Sequence, residues 1–158
     1  MSRPRVIARS RTATHWRNAL KHEHDIFITD ADRERLRALV ERLRDVRLVR
    51  DDHVAALAER VRHAEVVRPK DVPRNVVTLN SRVSLRDLDS GARVHCTLSD
   101  PFEVGVFGNR LSVTGPAGTA LLGRRVGEII RWPIGARQRR YRIERIPYQP
   151  EAAGDFHL

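Results

Sequence analysis

Cysteine occurs once, at Cys96, and a single thiol excludes an intramolecular disulfide framework. Aromatic residues are nearly as scarce, at 5% of the chain, so any core must be small and mostly aliphatic, although a hydrophobic content of 41% suffices to build one. No window approaches the roughly 18 uninterrupted apolar residues of a membrane span. The first residues are basic but lack an apolar stretch behind them, so no secretory signal is expected and a reducing cytoplasm is the simplest location. Gly-x-Ser-x-Gly, His-Glu-x-x-His and comparable nucleophile or metalloprotease patterns are missing. Acidic side chains are outnumbered 20 to 30 by Lys and Arg, which gives a net charge of +10 and a pI near 11.2.

That excess is unevenly placed. Residues 1–25 hold six basic and two acidic side chains, residues 26–65 hold nine of each, and residues 66–158 hold fifteen against nine. The positive charge therefore sits at the two ends, around a balanced middle segment. Residues 1–25 show no apolar periodicity and read as a disordered basic tail. Deleting residues 1–24 is expected to leave folding intact and to weaken non-specific DNA binding.

From Ile26 onward the chain reads as α+β, and residues 26–68 as a short antiparallel coiled-coil hairpin. Thr29 or Asp30 can cap a helix on which Leu36, Leu39, Val40 and Leu43 form one apolar stripe. Val54, Leu57, Ala58 and Val61 form a second, with Asp51 or Asp52 as its cap. Arg44 to Asp51 is the expected connection. Helices of roughly 13–16 residues reach only about 20–24 Å. Residues 69–73, bounded by Pro69 and Pro73, are a linker. Beyond it the period changes to two. Val83 and Leu85 alternate with polar neighbours, Asp89-Ser90-Gly91 turns, and Val94, Cys96 and Leu98 return. Further strands are expected at Leu111 and Val113, at Ile129–Trp132 and around Tyr141 and Ile143. With a short helix over Ala117–Leu122 they make residues 74–158 a small antiparallel sheet domain.

Several motifs invite a chemical reading and lack the residues to carry it. Gly118-Thr119-Ala120-Leu121-Leu122-Gly123 has the glycine spacing of a phosphate loop, but neither the lysine nor the hydroxyl follows. Gly123 reads instead as a helix C-cap. His22 and His24 lie in the tail, with no zinc-like spacing to other ligands. Cys96 sits at an apolar strand position with nothing nearby to lower its pKa. No cofactor and no metal is expected.

Three segments, Val76–Val83, Pro116–Gly123 and Tyr148-Gln149-Pro150-Glu151-Ala152-Ala153-Gly154-Asp155, occur in this order. They resemble the C-terminal domain of the bacterial Gre transcription factors. The closing octapeptide is similar to the Rnk branch of that family, the regulators of nucleoside diphosphate kinase. The resemblance spans roughly Ile26 to Leu158. It implies an FKBP-like fold for the sheet domain and RNA polymerase as partner, gripped near the β′ subunit at the rim of the secondary channel. The loop that this implies for docking is Gly115, Pro116, Ala117 and Gly118.

Gre cleavage factors reach the active site with a long coiled coil and an acidic tip, whose carboxylates help hold a magnesium ion. Here the tip would offer Asp45, Asp51 and Asp52 among Arg44, Arg47 and Arg50, on a shorter arm. The arginines offset the field that would recruit a cation. The expected protein is therefore no enzyme. It is a monomeric regulator that docks at the rim, competes with Gre factors and does not stimulate transcript cleavage. The alternative is a basic nucleic-acid-binding protein independent of polymerase, using its tail and sheet arginines. Prolyl isomerisation, which an FKBP-like fold suggests, would need an aromatic-lined pocket for which this chain has few residues.

Overall fold

The computed structural model describes residues 26–46, 51–102 and 109–158. The basic tail, and Arg47 and Arg50 of the expected tip, lie outside them. A three-residue strand, β1 (Phe27–Thr29), leads into helix α1 (Asp30–Val46), and α2 (Asp51–Arg62) returns to β2 (Glu65–Val67). Thr29 is the cap of α1: its Oγ1 accepts the backbone N–H of Asp32 at 3.1 Å. The stripe residues Leu36, Leu39, Val40 and Leu43 of α1 and Val54, Leu57 and Val61 of α2 are all buried.

Two details of the hairpin differ from expectation. Arg44 and Asp45 belong to the last turns of α1, not to the connection, and Asp51 and Asp52 lie inside the first turn of α2. Pairing of β1 with β2 was not expected either. They run parallel, with Phe27 opposite Glu65 and Thr29 opposite Val67. Three-residue strands are too short to show a period.

After a 3-10 turn at Pro69–Asp71, the sheet domain is built from β3 (Arg82–Asp87), β4 (Arg93–Ser99), β5 (Arg110–Ser112), α3 (Pro116–Leu121), β6 (Ile129–Ile134), β7 (Arg137–Tyr148) and α4 (Pro150–Ala153). Among the described residues the sheet order is β5-β4-β3-β7-β6. It is mixed, which corrects the antiparallel expectation. β3, β4, β6 and β7 pair antiparallel, but β5 lies parallel to β4, with Thr97 opposite Arg110 and Ser99 opposite Ser112. A parallel neighbour needs a long crossover, which alternation within one strand cannot reveal. The strand expected at Ile129–Trp132 runs on through Pro133 and Ile134 to complete β6. Cys96 is buried, and burial pushes its thiol up to about 11. Val94, aligned with the buried Leu85 close to the β3–β4 turn, remains 39% exposed.

Hairpin and sheet share one apolar cluster, which runs from Leu39 and Leu57 through Ile26 and Ile28 to Val77, Leu121 and Ile143. Gly123 packs tightly against Ile26 at this junction. Its φ is +73°, and a Cβ there would lie 2.1 Å from Cγ2 of Ile26.

The closing octapeptide forms a clasp. Gln149 donates through its amide to the carbonyls of Pro73 and Val76, at 2.9 and 2.8 Å, and Tyr148 donates to Asp155 at 2.5 Å. Thr78 donates to Glu151 at 2.8 Å and shares a hydrogen bond with Ser81 at 2.9 Å. Two of the three segments that carry the resemblance, Val76–Val83 and Tyr148–Asp155, therefore meet in space.

The same junction holds a buried acid. Asp32 is 4% exposed, and burial, reinforced by the nearby charge of Glu151, raises its pKa to about 7; Arg35 and the Thr29 hydroxyl only partly oppose this. The folded state thus holds a proton between about pH 4 and 7 that the unfolded chain releases, so stability falls as pH rises through this window. Asp32→Asn is expected to flatten that slope and to raise stability at pH 8 by on the order of 1–3 kcal/mol. Urea melts of both proteins at pH 5 and pH 8 measure it, and parallel slopes would show that Asp32 is ionised throughout.

Candidate partner-docking site

The loop before α3 is locked by its own polar groups. Ser112 and Thr114 hydroxyls share a hydrogen bond at 2.8 Å, the Gly115 N–H donates to the Ser112 carbonyl at 3.1 Å, and the Thr119 hydroxyl donates to the Val113 carbonyl at 2.9 Å. Gly115 is the extended N-cap and Pro116 occupies the first turn of α3, where its missing N–H costs nothing. Of the four loop residues, Pro116 is exposed and Gly115 half-buried, whereas Ala117 and Gly118 are buried. A Cβ on Gly118 would fall 1.9 Å from the Ser112 carbonyl oxygen, so this glycine holds α3 against the loop. The surface on offer is thus the turn Gly115-Pro116, with Ala117 and Gly118 bracing it from below.

Beside Pro116 opens a cleft of about 670 Å³ between α2, α3 and β6. Pro116, Ala120, Trp132 and Pro133 give it apolar walls, and Arg60, Arg124 and Arg131 ring it with charge. Trp132 is fixed by stacking on Tyr141, with ring centroids 4.1 Å apart and planes within 5°. Arg60 spans hairpin and sheet domain: its guanidinium donates to the carbonyls of Thr119 and Leu122 at the end of α3, at 2.8 and 2.6 Å. Burial, then the neighbouring Arg124, lowers its pKa to about 10, with Glu128 opposing, so it stays cationic at neutral pH. His53 and Glu59 of α2, with His63 just beyond it, complete the rim. Such a site favours an acidic partner surface with an apolar centre.

Arg60, Arg124 and Trp132 escaped the sequence reading. The scarcity of aromatics made each one informative, and Trp132 two positions from the apolar Ile130 was the available signal. For Arg60 the only signal was its place next to Val61, at the edge of an apolar stripe. At the hairpin end, Arg44, Asp45 and Asp52 are exposed. Among the described residues no group of three or more His, Cys, Asp or Glu side chains is placed to hold a metal ion, and no helix is long and apolar enough to cross a membrane.

The family described as "Transcription elongation factor, GreA/GreB, C-term" matches residues 72–148. The regulator of nucleoside diphosphate kinase of Escherichia coli (strain K12) is 39% identical over 134 residues, covering 84% of this chain and 96% of that protein. Transcription elongation factor GreA of Syntrophotalea carbinolica is 26% identical over 98 residues, covering 62% of each. The solved structure of a prokaryotic transcription elongation factor GreA/GreB from Nitrosomonas europaea gives a TM-score of 0.65 at 40% identity, covering 78% of this chain and 100% of that one. With this fold and these relatives, the chain belongs to the GreA/GreB family. Within that family it is a homologue of the regulators of nucleoside diphosphate kinase, the Rnk branch.

Proposed function

We infer that this protein is a transcription regulator that binds RNA polymerase at the rim of the secondary channel, without stimulating transcript cleavage. The observation that carries the reading is the exposed Pro116, held on a clamped loop beside an electropositive, apolar-walled cleft. A contact that needs no ordering loses little entropy on binding. Family membership supplies the partner, and competition with Gre factors follows from a shared docking place.

The arm supports the absence of cleavage. At 1.5 Å per residue, the 17 residues of α1 reach about 25 Å and the 12 of α2 about 18 Å. That is shorter than the coiled coil of a cleavage factor, and basic residues flank the acids at its end. Regulation of nucleoside diphosphate kinase would then pass through transcription.

Purified polymerase should retain the full chain and release a bound Gre factor as the chain is added. Backtracked complexes with ample magnesium should show no faster cleavage at saturating protein. Failure to bind polymerase sinks the proposal, and cleavage at the rate given by a Gre factor sinks the non-cleaving reading alone.

A further inference from the structure

The face of the sheet turned away from the core is a field of arginines. Val83 and Leu85 are buried in the core, so by alternation Arg82 and Arg86 project from the opposite face, with the buried Ser84 between them. The register extends this face sideways. Arg86 stands opposite Arg93 of β4 on one side and Arg142 of β7 on the other, three arginines abreast at about 4.8 Å per strand. Two rows along the same face Arg82 and Arg110 flank Thr97, and Arg131 faces Arg140 across β6 and β7.

Acid on this face is sparse. Glu144 bridges Arg86 and Arg93 at 2.8 and 3.1 Å, and Asp89 at the β3–β4 turn pairs with Arg140 at 2.9 Å. Arg131, Arg142 and Arg145 form no ion pair among the described residues. Like charges set directly opposite destabilise a sheet. This arrangement therefore carries a repulsion that a bound polyanion would relieve.

We propose that this face binds the phosphate backbone of duplex DNA. A protein partner would need an apolar or aromatic anchor at the centre of contact. The centre here is arginine, the Tyr148 ring is covered by Arg82, and the exposed Ile129 lies on the edge strand. A single strand would need exposed aromatic rings on which to stack, and the face has none among the described residues. What remains is a broad, rigid array of guanidiniums. Each can grip phosphate oxygens through two donors, against a duplex that carries one charge per ~1.7 Å of axis. Contacts of this kind do not read sequence. The face is separate from the docking cleft apart from Arg131, which borders both, so this inference does not rest on polymerase binding.

The test uses the full chain and a fluorescent 25-base-pair duplex, with anisotropy measured over a salt series. Replacing Arg131, Arg142 and Arg145 together by Ser should weaken binding at least about tenfold. It should also reduce the slope of log K against log salt by about 2–3, at about 0.9 per lost phosphate contact. A control that removes the same charge from the hairpin, with Arg37, Arg44 and Arg62 changed to Ser, should keep most of the affinity. Should the triple variant fold poorly, Arg145→Ser alone should lower the slope by about 1. Equal losses in sheet and hairpin variants, or an unchanged slope in the sheet variant, would mean that net charge or the tail binds DNA. Tighter binding to single-stranded DNA or to duplex RNA of the same length would overturn the assignment to duplex DNA.

Discussion

Gly118→Ala is expected to lower the melting temperature by roughly 6–12 °C, from a loss of on the order of 3 kcal/mol. The added methyl would sit 1.9 Å from the Ser112 carbonyl oxygen, 2.6 Å from its carbon and 2.9 Å from the Val113 Cα. All three are backbone atoms, so no side chain can rotate out of the way. Helix α3 would have to lift from the end of β5, breaking the hydrogen bond from the Thr119 hydroxyl to the Val113 carbonyl and loosening the turn that presents Pro116. The fully buried Leu121, and Leu122 beside it, would lose their packing in the same movement. Calorimetry on the parent and the variant measures it. A melting temperature within about 2 °C of the parent would mean that α3 can shift freely and that the loop is not preorganised.

Pro116→Asp should separate binding from stability in the opposite sense. Pro116 is exposed in the first turn of a helix, a place where most residues are tolerated, so melting should change little. If the cleft receives an acidic, apolar surface, a carboxylate at its lip removes apolar contact and adds like charge where the partner is closest. A central contact of this kind typically contributes about 2 kcal/mol, which corresponds to about a 30-fold loss of affinity for polymerase. The full chain is the right material, because Arg60 of the hairpin completes the cleft by bonding to the end of α3. Competition against a Gre factor reads the affinity directly. A variant that competes as well as the parent would move the docking place away from Pro116 and leave polymerase binding itself standing.

Much of the fold was legible because it is encoded locally. Leu36, Leu39, Val40 and Leu43 repeat at helical spacing, and every one is buried against the α2 stripe. Val83 and Leu85 alternate with Arg82 and Arg86 as expected, although Ser84 between them is buried as well. Gly123 is the left-handed residue after α3, which its place behind an apolar run suggested. The order and nature of the longer elements, the charge at both ends and the family motifs needed nothing beyond the chain itself.

Tertiary structure decided what depends on residues far apart in sequence. The parallel seating of β5 on β4 and of β1 on β2 comes from long-range pairing, for which three-residue strands carry no local code. That Ala117 and Gly118 are buried while Pro116 is presented follows from how α3 packs on the Ser112 carbonyl, a contact made by backbone and silent in side-chain pattern. Arg60 reads as one more surface charge until its partners, the last carbonyls of α3, are in place. The excess of arginine was plain from composition. Only strand register aligned Arg93, Arg86 and Arg142 across one face, because a single-residue slip would have turned the row toward the core.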